Sequence, residues 1–474
     1  MRRLGVDMEV DVKMERYSQF LVLAMVCLIV PWVAVAYAAP ISGTKDGSEQ
    51  WGYVDVRPGA HMFWWLYRST SKASNTTAIP VLMWLQGGPG GSGVGVGDFR
   101  EIGPLNEHLQ PRKYSWVEIA DLLFVENPVG TGFSYVDDPS LLPTNNSQVS
   151  SDLIQFLVEF VKLRPDLSKR PLFIFSESYG GKFASELGVM VHKAVAAGSL
   201  NLNFGGVALG DAWISPLDSM YSWGPFLYTN SRLDANGVVE VKQAVDKTAE
   251  FMRNGKFENA TYQWEKVEDL VLTLSNQVDF YNILEADEAG TESSISSATS
   301  MSMLMKRSRT FRDSFGYFDA VKAVEAVNGT QTLPLSELMN TVIREKLQII
   351  PTSVRWQSSS DEVFTALTGD FMKDTIHQVD KLLHHGVKVA VYSGQLDLIC
   401  STPGTEAWVQ KLKWTGLEGF NKQVRTPLYC NSNSTGGFVK KYKNLSFYWV
   451  LKAGHYLPID SPCVAQQMAS LIMS

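Results

Sequence analysis

The sequence predicts an α/β fold: a mostly parallel β-sheet covered by helices on both faces and interrupted by a helical insertion. Three observations lead there. Short apolar runs rich in β-branched and aromatic residues recur through the first part of the chain, amphipathic stretches separate them, and two more such runs return near the end. Length agrees, because 474 residues with 45% hydrophobic and 11% aromatic content suffice for one large α/β domain with an insertion, or for two to three smaller ones. The formal charge of −7 implies no broad cationic surface and argues against nucleic acid as a partner.

The elements follow in order. Residues 20–37 (FLVLAMVCLIVPWVAVAY) are a continuous apolar run ending in Ala36-Tyr37-Ala38, so a signal peptide cleaved after Ala38 is expected. The leader before it is mixed in charge, with Asp7, Glu9, Asp11 and Glu15; a start at Met14 gives a more ordinary signal, and an uncleaved membrane anchor is the alternative. Residues 51–57 and 62–67 read as two strands split by the Pro58-Gly59 turn. Residues 79–85 (IPVLMWL) read as a buried strand running into 86–93 (QGGPGGSG), which no regular element accommodates. Residues 121–125 (DLLFV) form the next strand and enter NPVGTGFSY. A helix is expected at 150–163, a strand at 172–175, a helix at 182–196 and a strand at 204–209.

From 211 to 370 the texture is helical, with amphipathic stretches at 238–252 and 264–274. Within it, residues 292–310 (ESSISSATSMSMLMKRSRT) read either as an exposed loop open to proteolytic clipping or as plain disorder. Strands return at 388–392 (KVAVY) and 445–451 (LSFYWVL). The expected organisation is a signal peptide at 1–38, the first part of an α/β core at 39–210, a helical cap at 211–370 and the second part of the core at 371–474.

Six Asn-x-Ser/Thr sites, at Asn75, Asn145, Asn259, Asn328, Asn433 and Asn444, are glycosylation candidates and fit a secreted or vesicular protein. Of four cysteines, Cys27 lies in the leader; Cys400, Cys430 and Cys463 allow at most one internal bridge and leave the pairing open. No Cys-x-x-Cys, His-x-x-x-His or His-Glu-x-x-His spacing exists, and His384-His385 closes a solvent-facing helix before Gly386, so neither a metal nor another cofactor is expected.

Residues 173–182 (FIFSESYGGK) place Ser178 directly after an apolar strand and before Gly180-Gly181. A sharp strand-to-helix turn there presents the hydroxyl outward and is expected to leave the serine's own N–H facing the same space. Ser176 stands where such turns usually carry glycine. The two late strands end in Ser393-Gly394-Gln395-Leu396-Asp397 and Lys452-Ala453-Gly454-His455. Ser178, Asp397 and His455 thus follow strand ends in the chain order of an α/β-hydrolase with a mostly parallel central sheet and an inserted helical cap. His455 is the expected base toward Ser178, and Asp397 the residue that holds its tautomer. The Gly87-Gly88 backbone, free of side chains, and the N–H of Tyr179 supply the expected oxyanion pocket.

Five blocks, WLQGGPGGSG (84–93), ENPVGTGFSY (126–135), SESYGGK (176–182), VYSGQLDLIC (391–400) and KAGHYLP (452–458), resemble the signature blocks of the serine carboxypeptidases, in order from residue 51 to the C-terminus. The resemblance is to the branch with Gln-Gly-Gly-Pro-Gly-Gly and Ser-Glu-Ser-Tyr-Gly-Gly, which also accounts for Ser176. It implies an exopeptidase that removes one residue from a peptide C-terminus without metal, in acidic, secreted or lysosomal surroundings. It also implies that Ser178, Asp397 and His455 form the triad, that Gly88 and Tyr179 are the oxyanion donors, and that Gln86, Glu101 and Glu177 grip the substrate carboxylate. Two ionised carboxylates cannot favourably share a site with a third, so at least one of Glu101 and Glu177 must hold a proton; an acidic optimum is expected. Peptide or protein C-termini are the expected partners, with no stable membrane association after signal cleavage and homo-oligomerisation left open.

Three departures from the family pattern flank the site. They are Gly91 where a cysteine is common, Asp211 where the family usually has an Asn-type residue, and Tyr-Leu-Pro-Ile-Asp after His455. Two other readings use the same residues: a hydrolase or acyltransferase acting on esters, and a non-catalytic binding protein on a hydrolase scaffold.

Overall fold

The computed structural model describes residues 41–71, 78–285, 333–430 and 434–474. The expected signal segment, the 292–310 stretch and the sequons at Asn75, Asn328 and Asn433 lie outside the described residues. Pro40–Ser474 forms one compact unit.

Among the described residues, twelve strands form one sheet. In chain order they are β1 (Ser42–Gly43), β2 (Glu49–Arg57), β3 (Ala60–Tyr67), β4 (Val81–Leu85), β5 (Asp121–Val125) and β6 (Tyr135–Val136). The remainder are β7 (Leu172–Glu177), β8 (Phe204–Gly210), β9 (Val389–Gly394), β10 (Thr426–Tyr429), β11 (Thr435–Tyr442) and β12 (Leu445–Val450). The centre runs β5, β4, β7, β8, β9, β12, all parallel. Antiparallel strands flank it on both sides, β3, β2 and β1 beyond β5 and β11 and β10 beyond β12.

Every residue of β4, β5 and β7 is buried because both faces of the central strands are covered, which is why these strands read as continuous apolar runs. Alternation still sorts the faces. Val81, Met83 and Leu85 join the layer that contains α1 (Asn146–Leu163) and α2 (Gly180–Ala196), whereas Leu82 and Trp84 pack with Phe124, Phe175 and Trp116 on the other side. α1 begins where the Asn145 side chain accepts from the Gln148 N–H at 2.9 Å, and it buries Val149, Leu153, Phe156, Leu157 and Phe160 along one stripe.

Between β8 and β9 the chain inserts α3 (Pro216–Thr229), α4 (Ala235–Arg253), α5 (Phe257–Ser275) and shorter helices. The insertion is fastened to the core. The Phe371 ring stacks on Tyr179 at 5.6 Å and lies 4.6 Å from the Trp264 ring of α5. Lys182 of α2 donates to the carbonyls of Asp370 and Phe371 at 2.6 and 3.2 Å. The expected boundary at residue 370 falls inside the short helix Thr368–Phe371, and the sheet resumes at Val389.

Several elements go beyond the sequence reading. A π-helix spans Gly93–Ile102, immediately after the glycine-rich loop, with Ser92 capping it by accepting from Gly95 N–H at 2.8 Å. Its alternating glycines suppress helical propensity but permit close packing; a Cβ at Gly97 would lie 2.4 Å from the Trp84 indole nitrogen. The edge strand β10, its neighbour β11 and the final helix Pro462–Met473 also went unread. Cys430 and Cys463 form a disulfide with a Cα–Cα distance of 6.0 Å, and Cys400 is free and buried.

Candidate active site

The carboxyl ends of the parallel strands lie level. Leu85 pairs with Ser176, Glu177 with Gly210, Gly210 with Tyr392 and Gly394 with Val450. The residues that leave these strands, Gln86, Ser178, Asp211, Asp397 and His455, therefore gather along one rim of the sheet.

Ser178 sits between β7 and α2 at a backbone φ of +59°, left-handed space that a non-glycine residue occupies at a cost of about 1–2 kcal/mol. The turn leaves no room around it: a Cβ on Gly180 would lie 2.3 Å from the Leu85 carbonyl oxygen, and one on Gly181 would lie 2.5 Å from the Ala212 Cβ. The expectation that the Ser178 N–H faces the reaction space is overturned. It donates to the Gly210 carbonyl at 2.9 Å, because the pairing of β7 with β8 continues one residue past the strand. Among the described residues, no backbone carbonyl accepts from the N–H of Tyr179 or Gly88. Gly88 has φ +116°, which favours glycine, and a Cβ on Gly87 would meet Ser178 Cβ at 2.5 Å and Tyr179 N at 3.0 Å. The glycine loop thus runs directly against the serine turn.

On the other side of the rim, His455 Nδ1 and Asp397 Oδ2 are 2.9 Å apart, and Asp397 Oδ1 accepts from the Cys400 N–H at 3.1 Å. Leu396 N–H donates to the Ala453 carbonyl at 2.7 Å and ties the two loops together. The insertion completes this side. His455 N–H donates to the Tyr281 carbonyl at 2.7 Å, and the Tyr281 ring meets the imidazole edge-on at 5.1 Å. Burial pushes the His455 pKa down, which favours the neutral imidazole a base needs. Burial pushes Asp397 up, against the N–H groups of Cys400 and Ile399 that favour its charge. Donor atoms of Asp397, Cys400 and His455 lie within 4.8 Å of one another, although Asp397 and His455 are already engaged with each other.

Gln86, Glu101 and Glu177 form a second buried cluster. Gln86 Nε2 donates to Glu101 Oε1 at 3.1 Å and to Glu177 Oε1 at 2.8 Å, while Trp84 Nε1 donates to Gln86 Oε1 at 2.6 Å and fixes the amide's orientation. The π-helix delivers Glu101, and the last residue of β7 is Glu177. Burial raises both carboxyls; the charge of Glu101 raises Glu177 further, whereas a hydrogen bond from Glu177 lowers Glu101. Both carboxyls are thus pushed toward the protonated form, and the pair shares a proton that is lost when both become charged. The clusters belong to one site: Glu101 interacts electrostatically with His455, and Glu177 with Asp397.

The described glycosylation candidates differ in availability. Asn259 is exposed on α5, Asn145 is the half-buried cap of α1, and Asn444 Nδ2 donates to the carbonyls of Leu383 and Val387 at 3.0 and 2.8 Å. Sequence reasoning gave Trp84, Tyr281 and Cys400 no part in this site, and placed Asp211 only beside it. Position directly after a parallel strand was the available signal for Asp211; Trp84 and Tyr281 had none.

A central parallel sheet with helices on both faces and a nucleophile-type turn after its middle strand defines an α/β-hydrolase. A family model described as serine carboxypeptidase matches residues 40–474, so the chain belongs to the serine carboxypeptidase family and is a serine-type carboxypeptidase. It is 46% identical over 454 residues to serine carboxypeptidase-like 51 of Arabidopsis thaliana, covering 95% of this chain and 97% of that protein. It is 46% identical over 429 residues to the retinoid-inducible serine carboxypeptidase of Mus musculus, covering 90% and 92%. Among solved structures, the prohormone-processing carboxypeptidase Kex1 from Saccharomyces cerevisiae shares the fold with a TM-score of 0.72 at 20% identity, covering 90% of each chain.

Proposed function

We propose that the protein releases single amino acids from peptide C-termini through an acyl-enzyme on Ser178, and does so best at acidic pH. The observation that carries this reading is the buried Gln86–Glu101–Glu177 cluster beside Ser178. An amide donor and a protonated carboxyl suit a terminal carboxylate and give nothing comparable to a C-terminal amide.

In the reaction, Ser178 Oγ attacks the scissile carbonyl carbon while His455 takes the hydroxyl proton on Nε2, its Nδ1 being turned to Asp397. The N–H groups of Gly88 and Tyr179 stabilise the oxyanion. Collapse expels the leaving amine, which receives the proton from His455, and the acyl group remains on Ser178. Water, deprotonated by His455, then attacks the ester and restores the serine.

The test is release of the terminal amino acid from N-blocked dipeptides between pH 4 and 8, with the matching amides and Ser178→Ala as controls. Acid-favoured cleavage of free acids, lost in the variant, is the expected result. Equal turnover of amides, or turnover of esters alone, refutes it. Absence of fluorophosphonate labelling at Ser178 would instead favour a non-catalytic scaffold. A signal peptide, N-glycosylation at exposed Asn259 above all, and a secreted or lysosomal destination complete the proposal. Among the described residues, no helix is long and apolar enough to cross a membrane.

A further inference from the structure

Asp211 leaves β8 at a backbone φ of +40°, in the left-handed region that aspartate and asparagine tolerate better than most residues. Its N–H donates to the Tyr392 carbonyl at 2.9 Å, and its side chain is fully buried. Oδ1 accepts from the Gly394 N–H at 2.7 Å; Oδ2 has no donor among the described residues. The carboxyl is in hydrogen-bond contact with that of Asp397. Both oxygens of Asp397 are already acceptors, Oδ1 for Cys400 N–H and Oδ2 for His455 Nδ1.

Two carboxyls in contact need a proton between them, and the hydrogen bonds decide who carries it. A proton on Asp397 would compete with the two N–H groups that favour its charge, whereas one on Asp211 Oδ2 fills the single vacant position and leaves every neighbouring donor paired. We propose that Asp211 is a protonated carboxylic acid that donates to Asp397, and that it is thereby a positioning residue for the Asp397–His455 pair. Asp211 acts through Asp397 in this role and needs no contact with the substrate.

The surroundings agree. The titratable groups facing Asp211 are Asp397 and Cys400 after β9, His455 after β12, Glu177 at the end of β7 and Tyr392 in β9. Burial and the charge of Asp397 push its pKa well up, opposed by His455 and the Gly394 N–H. The proton is held below the raised value and lost as pH rises through it. Its loss replaces a donor with a like charge against Asp397, so the geometry of His455 suffers and kcat falls. The Glu101–Glu177 pair loses its proton in the same direction but acts on KM for free-acid peptides.

The activity arm of the test rests on the carboxypeptidase reading; the spectroscopic arm does not. Full-length protein and its Asp211→Asn and Asp211→Ala variants are compared by infrared difference spectroscopy and by kcat and KM across pH. The native-minus-Asn spectrum is expected to show one protonated-carboxyl C=O band. Asp211→Ala should lower kcat by roughly tenfold to a hundredfold with KM changed less than about twofold. Asn keeps an acceptor for Gly394 N–H and a donor for Asp397, so it should restore most of that kcat and remove the alkaline decline in it. A missing band, an Asn variant as impaired as Ala, or an unchanged alkaline limb overturns the proposal. Should the native protein turn over no peptide, the rate of fluorophosphonate labelling of Ser178 takes the place of kcat, so failure of the substrate reading stays distinguishable.

Discussion

Replacing Glu177 with Gln tests the link between the buried carboxyl pair and the substrate's terminal carboxylate. Both glutamates accept from the same Gln86 nitrogen, at 3.1 and 2.8 Å, which places their oxygens within about 6 Å of each other. Two charges at that separation, at an effective dielectric constant of about 20, repel by about 3 kcal/mol, which adds to burial in holding the shared proton on the pair. Below the raised pKa, Glu177 can donate to a substrate carboxylate; above it, the donor is replaced by a like charge. The loss of one charge-assisted hydrogen bond, about 1.5–3 kcal/mol, raises KM by roughly tenfold to 150-fold. The assay is the pH dependence of kcat and KM, from pH 4 to 8, for an N-blocked dipeptide and its C-terminal amide. Native enzyme should show KM for the acid rising with pH while KM for the amide stays level. Glu177→Gln, a donor at every pH, should flatten the rise. If KM for the acid is pH-independent in the native protein, or the variant keeps the rise, Glu177 does not carry the proton that binds substrate.

Ser178→Ala should lower peptide hydrolysis by at least about 10⁴-fold and abolish fluorophosphonate labelling; retained labelling would point to another nucleophile. Gly87→Ala drives a methyl to 2.5 Å from Ser178 Cβ and 2.9 Å from the Glu177 carbonyl, so kcat should fall about a hundredfold even where circular dichroism shows a folded protein; native kcat would mean the loop is not held against the turn. Removing the Cys430–Cys463 bridge as the double serine variant releases a loop of 33 residues, for which chain entropy gives about 3.5–4 kcal/mol, read from urea unfolding; a loss under about 1 kcal/mol would show that the unfolded chain gains little freedom.

The sequence was most legible where burial left residues little choice. β5 was read residue for residue, since its interior is covered on both faces and apolar, bounded by Asp121, paired with Arg170 at 2.8 Å, and by Glu126. α1 was read four residues short, because Asn146, Ser147 and Gln148 carry none of its apolar stripe, which begins at Val149, and are held by the Asn145 cap. The helix that carries Glu101 was illegible for the opposite reason. Gly93, Gly95 and Gly97 oppose helix formation locally, and only the approach of Trp84 and Trp356, distant in the chain, explains them. Strand β10 contains Pro427, which tells against a strand until its edge position excuses it, and β11 contains Gly436-Gly437, which sits at the bulge in its pairing with β10.

Within the site, the residues at strand ends were within reach of sequence, as was the need for a proton on the Glu101–Glu177 pair, but the pairing of Asp211 with Asp397 was not. Gln86, Ser178, Asp397 and His455 are placed by topology alone, since each follows a strand of one parallel sheet. Which carboxyl holds a proton depends on neighbours drawn from separate strands: Glu177 from β7 against Glu101 from the π-helix, and Asp211 from β8 against Asp397 after β9. Four carboxyls thus lie buried around one histidine whose own charge is disfavoured by burial. Such a site is stable only if it retains protons, one in each pair, and the pairs are coupled, because Asp211 raises Glu177. The acidic working range proposed above rests on this packing of strand ends, independently of the compartment that supplies the acid. Rising pH first loosens the grip on the substrate or the alignment of the base, according to which pair yields its proton first, and KM and kcat report the two separately.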